Sequence, residues 1–138
     1  MYKAILFLIF LFFNFQVSLA QHLHANPILS PWAEEVDPVN PHPEYPRPQM
    51  MRDNWNNLNG SWDYTILEKG SPRPSSFQGK IIVPYPVESY LSGVMKPVGA
   101  EKELWYQRQF QISNTQRKGK VLLHFGAVDW ETEVFVNG

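Results

Sequence analysis

Short stretches in which apolar residues alternate with polar ones, or run together between turns, predict five β-strands in this chain. They cover residues 61–67, 80–83, 104–112, 121–125 and 130–136. Turn-forming residues separate them, and no stretch has helical periodicity or repeats another. We therefore expect an all-β fold, an antiparallel β-sandwich with fewer strands than the roughly eight of a jelly roll.

The last predicted strand ends on Asn137-Gly138, a dipeptide that readily takes the positive φ angles of a type I′ hairpin turn. A hairpin turn needs a returning strand, and Gly138 is the last residue of the sequence. We therefore expect the chain to be the front part of a longer polypeptide, with a sandwich that is incomplete at its C-terminus.

The N-terminus has the pattern of a secretory signal peptide. A positive charge at Lys3 precedes an apolar run over residues 4–15, and Ser18-Leu19-Ala20 has the small residues that a signal peptidase accepts. A membrane anchor is the alternative, but the run is shorter than the roughly 20 residues of a bilayer span. We predict that residues 1–20 are removed and that the protein is secreted or periplasmic, with no membrane contact after cleavage.

The segment 21–49 differs from the rest in composition, because it holds seven of the twelve prolines. Proline fixes φ and disfavours helix at the preceding residue, so we expect extended backbone without a helix or a central strand. The segment is either a linker or an arm laid over another surface, and its apolar residues Ile28, Leu29, Trp32 and Tyr45 favour an arm. This leaves residues 50–138 for the sandwich domain.

Composition excludes several classes of partner. The chain has 12 basic and 13 acidic residues without a cluster of either sign, so neither nucleic acid nor an anionic membrane is expected to bind. It has no cysteine, so an exported domain must be stabilised by its core, which favours a large fold. His22 and His24 lack a third ligand, and no phosphate-binding loop is present; we expect neither a metal nor a cofactor.

Five groups of residues, in this order, resemble the N-terminal sugar-binding domain of glycoside hydrolase family 2, which includes β-galactosidases, β-glucuronidases and β-mannosidases. The resemblance runs from about Tyr45 to Gly138. The groups are Pro46-Arg47-Pro48-Gln49, Trp55-x-x-Leu58-Asn59-Gly60-x-Trp62, Val83-Pro84-Tyr85-Pro86-Val87-Glu88-Ser89-x-Leu91-Ser92-Gly93, Trp105-Tyr106-x-Arg108, and Leu123-His124-Phe125-Gly126-Ala127-Val128-Asp129 with Val134-Phe135-Val136-Asn137-Gly138.

The resemblance implies a galactose-binding-domain-like jelly roll, followed in the same polypeptide by an immunoglobulin-like sandwich and a TIM barrel. It also implies a secreted, β-galactosidase-like enzyme of carbohydrate metabolism that hydrolyses O-glycosyl bonds of β-glycosides. Both catalytic glutamates of this family lie in the barrel, so no catalytic residue is assigned here and the chain alone is expected to be inactive. The alternatives are a non-catalytic carbohydrate-binding module and an incomplete product without activity.

The loop after the second predicted strand holds the candidate substrate-binding residues. In the resembled family this loop lies toward the barrel mouth, so Glu88 and Ser89 are expected to line the sugar pocket. Tyr85 and Tyr90 are candidates for stacking on a sugar ring. The structural alternatives are a turn cap for the carboxylate of Glu88 and a domain interface for the tyrosines.

Other polar residues have mainly structural interpretations. Arg108 falls on the apolar face of its predicted strand, where we expect it to pair with a carboxylate, a sugar contact being the alternative. Trp105, on the polar face, is a candidate for an interface or a ligand. The alternating carboxylates Asp129, Glu131 and Glu133 are expected to form a solvated strand face rather than a glycosidase pair. Asn59-Gly60-Ser61 has the pattern of a glycosylation acceptor.

Overall fold

The computed structural model describes residues 29–44, 49, 52–129 and 131–138. The predicted signal peptide, His22, His24 and Trp130 lie outside these ranges. The secondary structure consists of three strands, β1 (Gly60–Glu68), β2 (Gly79–Val83) and β3 (Lys102–Gln107), and of short 3-10 helices at Ala33–Glu35, Tyr90–Ser92 and Gln116–Lys118. Nowhere in the described ranges is a helix long and apolar enough to cross a bilayer.

The strands form one antiparallel sheet in the order β2–β1–β3. Trp62 of β1 lies opposite Ile81 of β2, and Tyr64 lies opposite Tyr106 of β3. Because side chains alternate along a strand, this register gathers the apolar residues of all three strands on one face. The all-β, antiparallel part of the prediction is confirmed for the described residues.

The core lies on that apolar face and is small. Tyr64, Ile81 and Val87 are buried, and the partly buried residues Trp62, Ile66, Val83, Val94, Val98 and Leu104 pack against them. Val87 comes from the loop after β2, so this loop is part of the core rather than a free connection. The opposite face carries Asp63, Lys80 and Gln107 around an open, polar depression.

The C-terminal strands are where the sequence prediction is wrong. β3 ends at Gln107 instead of residue 112, and no described residue from 121 onward is in a strand. Their apolar side chains are largely exposed; Leu122, for example, keeps 68% of its surface accessible. Alternation predicts which side chains would share a face, but a strand also needs a neighbour for its backbone groups, and no described strand pairs with this segment.

The proline-rich segment also departs from the prediction. Ala33–Glu35 forms a 3-10 turn, because Pro31 restricts the residue before it and leaves the following alanine and glutamates free to turn. Further along the chain, the segment contacts the residues that immediately precede β1. The Asn57 side chain donates to the carbonyl of His42, and the Asn59 side chain donates to that of Pro41, which is fully buried.

Close backbone approach at the start of β1 leads to the first prediction. Gly60 has a φ of +110°, and a Cβ there would lie 2.9 Å from the carbonyl oxygen of Val39. Gly60→Ala therefore adds a clash with the backbone to an unfavourable conformation, and we expect it to lower the free energy of unfolding by at least about 2 kcal/mol in urea denaturation.

The matched control is Gly70→Ala. Gly70 also has a positive φ, +78°, but a Cβ there would have no neighbour within 4 Å. This variant should lose only about 1 kcal/mol, the cost of the left-handed conformation. Equal losses in the two variants would show that the approach of Val39 is unimportant.

Candidate functional site

The loop that carries the predicted sugar-binding residues is held rigidly by its own backbone. After β2, a turn forms as the N–H of Tyr85 donates to the carbonyl of Ile82, and the N–H of Ser89 donates to that of Pro86. The 3-10 helix Tyr90–Ser92 follows and ends at Gly93, whose φ is 76°. The loop predicted from prolines and glycines is therefore ordered by successive turns.

Ser92 is the internal anchor of this loop. Its side chain is fully buried, and its hydroxyl lies 2.7 Å from the carbonyl of Ser89 and 3.2 Å from that of Val87. The same oxygen accepts from the N–H of Val94 at 3.0 Å. A buried hydroxyl with three backbone partners fixes the loop against the core. The sequence analysis did not single out Ser92, because nothing in the local sequence separates it from Ser89.

Ser89 acts as the N-cap of the 3-10 helix. Its hydroxyl donates to the carbonyl of Pro86 at 2.8 Å and accepts from the N–H of Ser92 at 3.2 Å. This is the turn-capping alternative, found at the serine rather than at the neighbouring carboxylate. Glu88 is exposed, and Tyr90 keeps 45% of its surface accessible. Glu88 and Tyr90 are thus among the residues that this loop exposes to solvent.

Tyr85 is joined to the proline-rich segment through His42. The tyrosine hydroxyl lies 3.4 Å from His42 Nε2, and Nδ1 of the same ring lies 3.2 Å from Glu44 Oε1. Hydrogen bonds from its own backbone and from His42 hold the pKa of Glu44 below its usual value. Because an ionised carboxylate only accepts, Nδ1 must carry a proton, and a neutral imidazole then accepts the Tyr85 hydroxyl at Nε2.

The charge of Glu88 affects the pKa of Tyr106, a residue of β3. Burial raises the pKa of Tyr106, and the negative charge of Glu88 raises it further. Burial likewise raises the pKa of Tyr85, with a smaller contribution from Glu44. The charge of Glu44 thus acts on the pKa of Tyr85, and the charge of Glu88 acts on that of Tyr106. No contact among the described residues joins Tyr85 to Glu88 or to Tyr90.

Arg108 has a different partner from the one predicted. Its guanidinium donates from Nη1 to the carbonyls of Leu58 at 3.0 Å and Asn59 at 2.9 Å, and it lies 6.0 Å from the ring centroid of Trp62. None of the ion pairs of the described residues includes Arg108. Within the described residues the half-buried backbone carbonyls before β1 take the place of the expected carboxylate of this domain.

The second face of the sheet is partly covered by the C-terminal segment. Phe135 stacks on Trp105 with ring centroids 6.0 Å apart. The guanidinium carbon of Arg73 lies 5.7 Å from the centroid of the Phe135 ring. Trp105 thus has an intramolecular neighbour, and its indole N–H is buried without a hydrogen-bond partner among the described residues. The sequence predicts an interface or a ligand for Trp105, and neither is tested by this contact within the chain.

The remaining candidates lie apart from the loop. Asp129, Glu131 and Glu133 are exposed but belong to no strand, and Glu131 lies 3.9 Å from Lys69 Nζ. The side-chain amide of Asn59, the predicted glycosylation acceptor, donates a hydrogen bond to the carbonyl of Pro41. No group of His, Asp or Glu residues within the described ranges is arranged to hold a metal ion.

Comparison with known proteins adds no relative to these observations. No protein-family model matches the chain, and no curated protein is significantly similar to it.

The contacts of Arg108 lead to a prediction about stability. Arg108→Ala leaves two half-buried carbonyls without their charged donor, and we expect it to lower the free energy of unfolding by about 2 to 3 kcal/mol. Arg108→Lys should recover only part of this loss, because an ammonium can donate to the same carbonyls but lacks the planar guanidinium that lies over the Trp62 ring. Arg117→Ala, at an exposed arginine, is the control and should be nearly neutral in the same urea titration.

The two tyrosine–glutamate pairs can be tested against each other. Glu44→Gln should lower the pKa of Tyr85 and leave that of Tyr106 unchanged, whereas Glu88→Gln should do the reverse. NMR titration of ring-labelled tyrosine, assigned with Tyr85→Phe and Tyr106→Phe, measures both values. A response of both tyrosines to one substitution would contradict the pairing.

The raised pKa values of Tyr85 and Tyr106 also predict how stability changes with pH. A tyrosine whose pKa is raised on folding stabilises the folded state fully below its unfolded pKa of about 10. This contribution is lost as the pH rises through the folded pKa.

Proposed function

We propose that the chain is the N-terminal, non-catalytic sugar-binding domain of a secreted family 2 β-glycosidase. In this proposal the small antiparallel sheet is part of a jelly roll, a fold of about eight strands. The domain docks on a catalytic barrel of the same polypeptide, and its loop after β2 forms one wall of the substrate pocket.

One observation carries the proposal: two groups of the resemblance meet in the structure. Arg108, from Trp105-Tyr106-x-Arg108, hydrogen-bonds the carbonyl of Leu58, 50 residues earlier in the chain. Leu58 belongs to Trp55-x-x-Leu58-Asn59-Gly60-x-Trp62, and its carbonyl also accepts the indole N–H of Trp62 at 2.7 Å. The two groups are therefore neighbours in the fold, which supports treating them as parts of one domain.

A second observation supports the role of the loop. Ser89, Ser92 and Gly93, from the third group, cap and end the 3-10 helix, and Val87 anchors the loop in the core. Glu88 and Tyr90 are left facing solvent on a fixed backbone. A carboxylate that accepts from sugar hydroxyls beside an aromatic ring that stacks on a pyranose is a common arrangement for carbohydrate contact.

The chemistry of hydrolysis would lie outside this chain. Glycosidases of the retaining class use two carboxylates about 5–5.5 Å apart, and the resemblance assigns both to the barrel. The part of this domain would be to hold a sugar hydroxyl in place, which lowers KM rather than supplying an acid or a nucleophile.

The test begins with the coding region beyond Gly138, followed by assays of the complete polypeptide on p-nitrophenyl β-galactoside, β-glucuronide and β-mannoside. We expect hydrolysis of at least one substrate. Glu88→Gln and Tyr90→Ala should raise KM about three- to tenfold with little change in kcat, the loss of roughly one hydrogen bond or ring contact. Glu101→Gln, at another exposed loop carboxylate, is the control and should leave KM unchanged.

Two outcomes would count against the proposal. A complete polypeptide that hydrolyses none of the three substrates but binds a polysaccharide in calorimetry would favour the alternative, a non-catalytic carbohydrate-binding module, which the exposed Glu88 and Tyr90 would also suit. Hydrolysis that is insensitive to both substitutions would remove the loop from the substrate pocket.

A further inference from the structure

Residues 37–44 belong to the proline-rich stretch, for which the sequence allows either a linker or an arm. In the structure they contact two parts of the domain that are separate in the chain, the residues around the start of β1 and the loop after β2. The residues that receive these contacts are Asn57, Asn59, Gly60 and Tyr85, and we call them the arm-docking surface. A segment that touches two such parts is an arm bound to the domain rather than a linker.

Pro41 is the anchor of the bound segment. It is among the fully buried residues of the described part of the chain, although proline is mostly exposed in folded proteins. Its carbonyl accepts from the side-chain nitrogen of Asn59 at 3.3 Å. Complete burial of the ring next to a satisfied carbonyl indicates a specific contact, because a connecting segment ordinarily runs over the surface.

The backbone on either side of Pro41 is also in contact with this surface. The side-chain nitrogen of Asn57 donates to the carbonyl of His42 at 3.1 Å. The carbonyl oxygen of Val39 approaches Gly60 so closely that a Cβ there would lie 2.9 Å away. Two asparagine amides therefore supply donors to carbonyls that no strand pairs with, and a glycine permits the close approach.

His42 joins the segment to the loop after β2. Its ring centroid lies 5.8 Å from that of Tyr85, and its Nε2 lies 3.4 Å from the tyrosine hydroxyl. His42 has a φ of 51°, a left-handed conformation that is unfavourable for a residue with a side chain unless surrounding contacts hold it. The bond from Asn57 and the contact with Tyr85 hold this residue at its carbonyl and at its ring.

We infer that the arm-docking surface is a peptide-binding site, occupied in this chain by residues 37–44 and held by noncovalent contacts rather than by the covalent link to β1. Its ligand is a short segment that buries a proline and offers two successive carbonyls to asparagine amides. Charge has little part in this recognition, because the ion pair between His42 and Glu44 lies within the segment and is exposed. The site uses neither Glu88 nor Tyr90, so it is independent of the proposed sugar contact.

The experiment cuts the full chain between the segment and β1. A recognition site for a sequence-specific protease is inserted between Gln49 and Met50, and the folded protein is cleaved and analysed by size-exclusion chromatography. We expect the N-terminal fragment to elute with the remainder under native conditions and to separate from it in urea. Separation under native conditions would overturn the inference, whether or not the remainder stays folded.

Substitutions in the cleaved chain test the contribution of the two amides. Asn57→Ala combined with Asn59→Ala should release the N-terminal fragment at least tenfold faster, because two carbonyls lose their donors. Asn56→Ala, at an exposed asparagine whose side chain makes no hydrogen bond among the described residues, is the matched control and should not change the release rate. Equal rates in both variants and in the unchanged sequence would show that this surface does not hold the segment.

A synthetic peptide of residues 37–44 tests the same site without any substitution in the domain. Added in excess to the cleaved chain, it should displace a fluorescently labelled N-terminal fragment. The same peptide carrying Pro41→Gly should displace much less, because the buried ring is lost. Failure of the unchanged peptide, or equal displacement by the two peptides, would contradict a proline-anchored binding site.

Discussion

The guanidinium of Arg108 is the contact on which the arrangement of the sheet depends. It lies just after β3 and donates to the carbonyls of Leu58 and Asn59, just before β1. These carbonyls precede the strand pairing and would otherwise be half-buried without a donor, which is costly. The contact fixes where β1 begins and turns the chain away from the sheet where β3 ends. Trp62 then lies beneath the charge.

The Arg108 contact also explains why the sequence predicts the ends of β1 and β2 better than the end of β3. β1 and β2 were predicted within one residue of their ends, because alternation and the flanking turn residues coincide there. The C-terminal end of β3 was predicted five residues too late, at residue 112 instead of Gln107. The alternation continues through Phe110 and Ile112, but the guanidinium of Arg108 donates to carbonyls that precede β1. This contact is a tertiary effect, which a local pattern does not contain. The C-terminal strands fail for a related reason: Phe135 lies over the face of β3 instead of along its open edge.

Around the candidate site, local roles were predictable and long-range partners were not. The loop sequence predicts a turn cap at the carboxylate of Glu88, and the structure places the cap one residue later, at Ser89. His42 and Glu44 come from a segment whose prolines indicate only extended backbone, so their contact with Tyr85 depends on how that segment lies over the loop. The pairing of Tyr106 with Glu88 likewise depends on strand register and loop path together, neither of which a local pattern contains.

The contacts within the fold reduce the number of residues that could bind a ligand. Gly60, Ser89, Ser92 and Arg108 all belong to the family resemblance, yet their polar or backbone groups are already used within the fold. A residue whose hydrogen-bonding capacity is satisfied internally gains little by contacting a ligand, because an old bond must break for each new one. If the domain contacts a sugar as proposed, that contact would depend on side chains that the fold leaves free. On the loop after β2, these include the exposed carboxylate of Glu88 and the half-exposed ring of Tyr90.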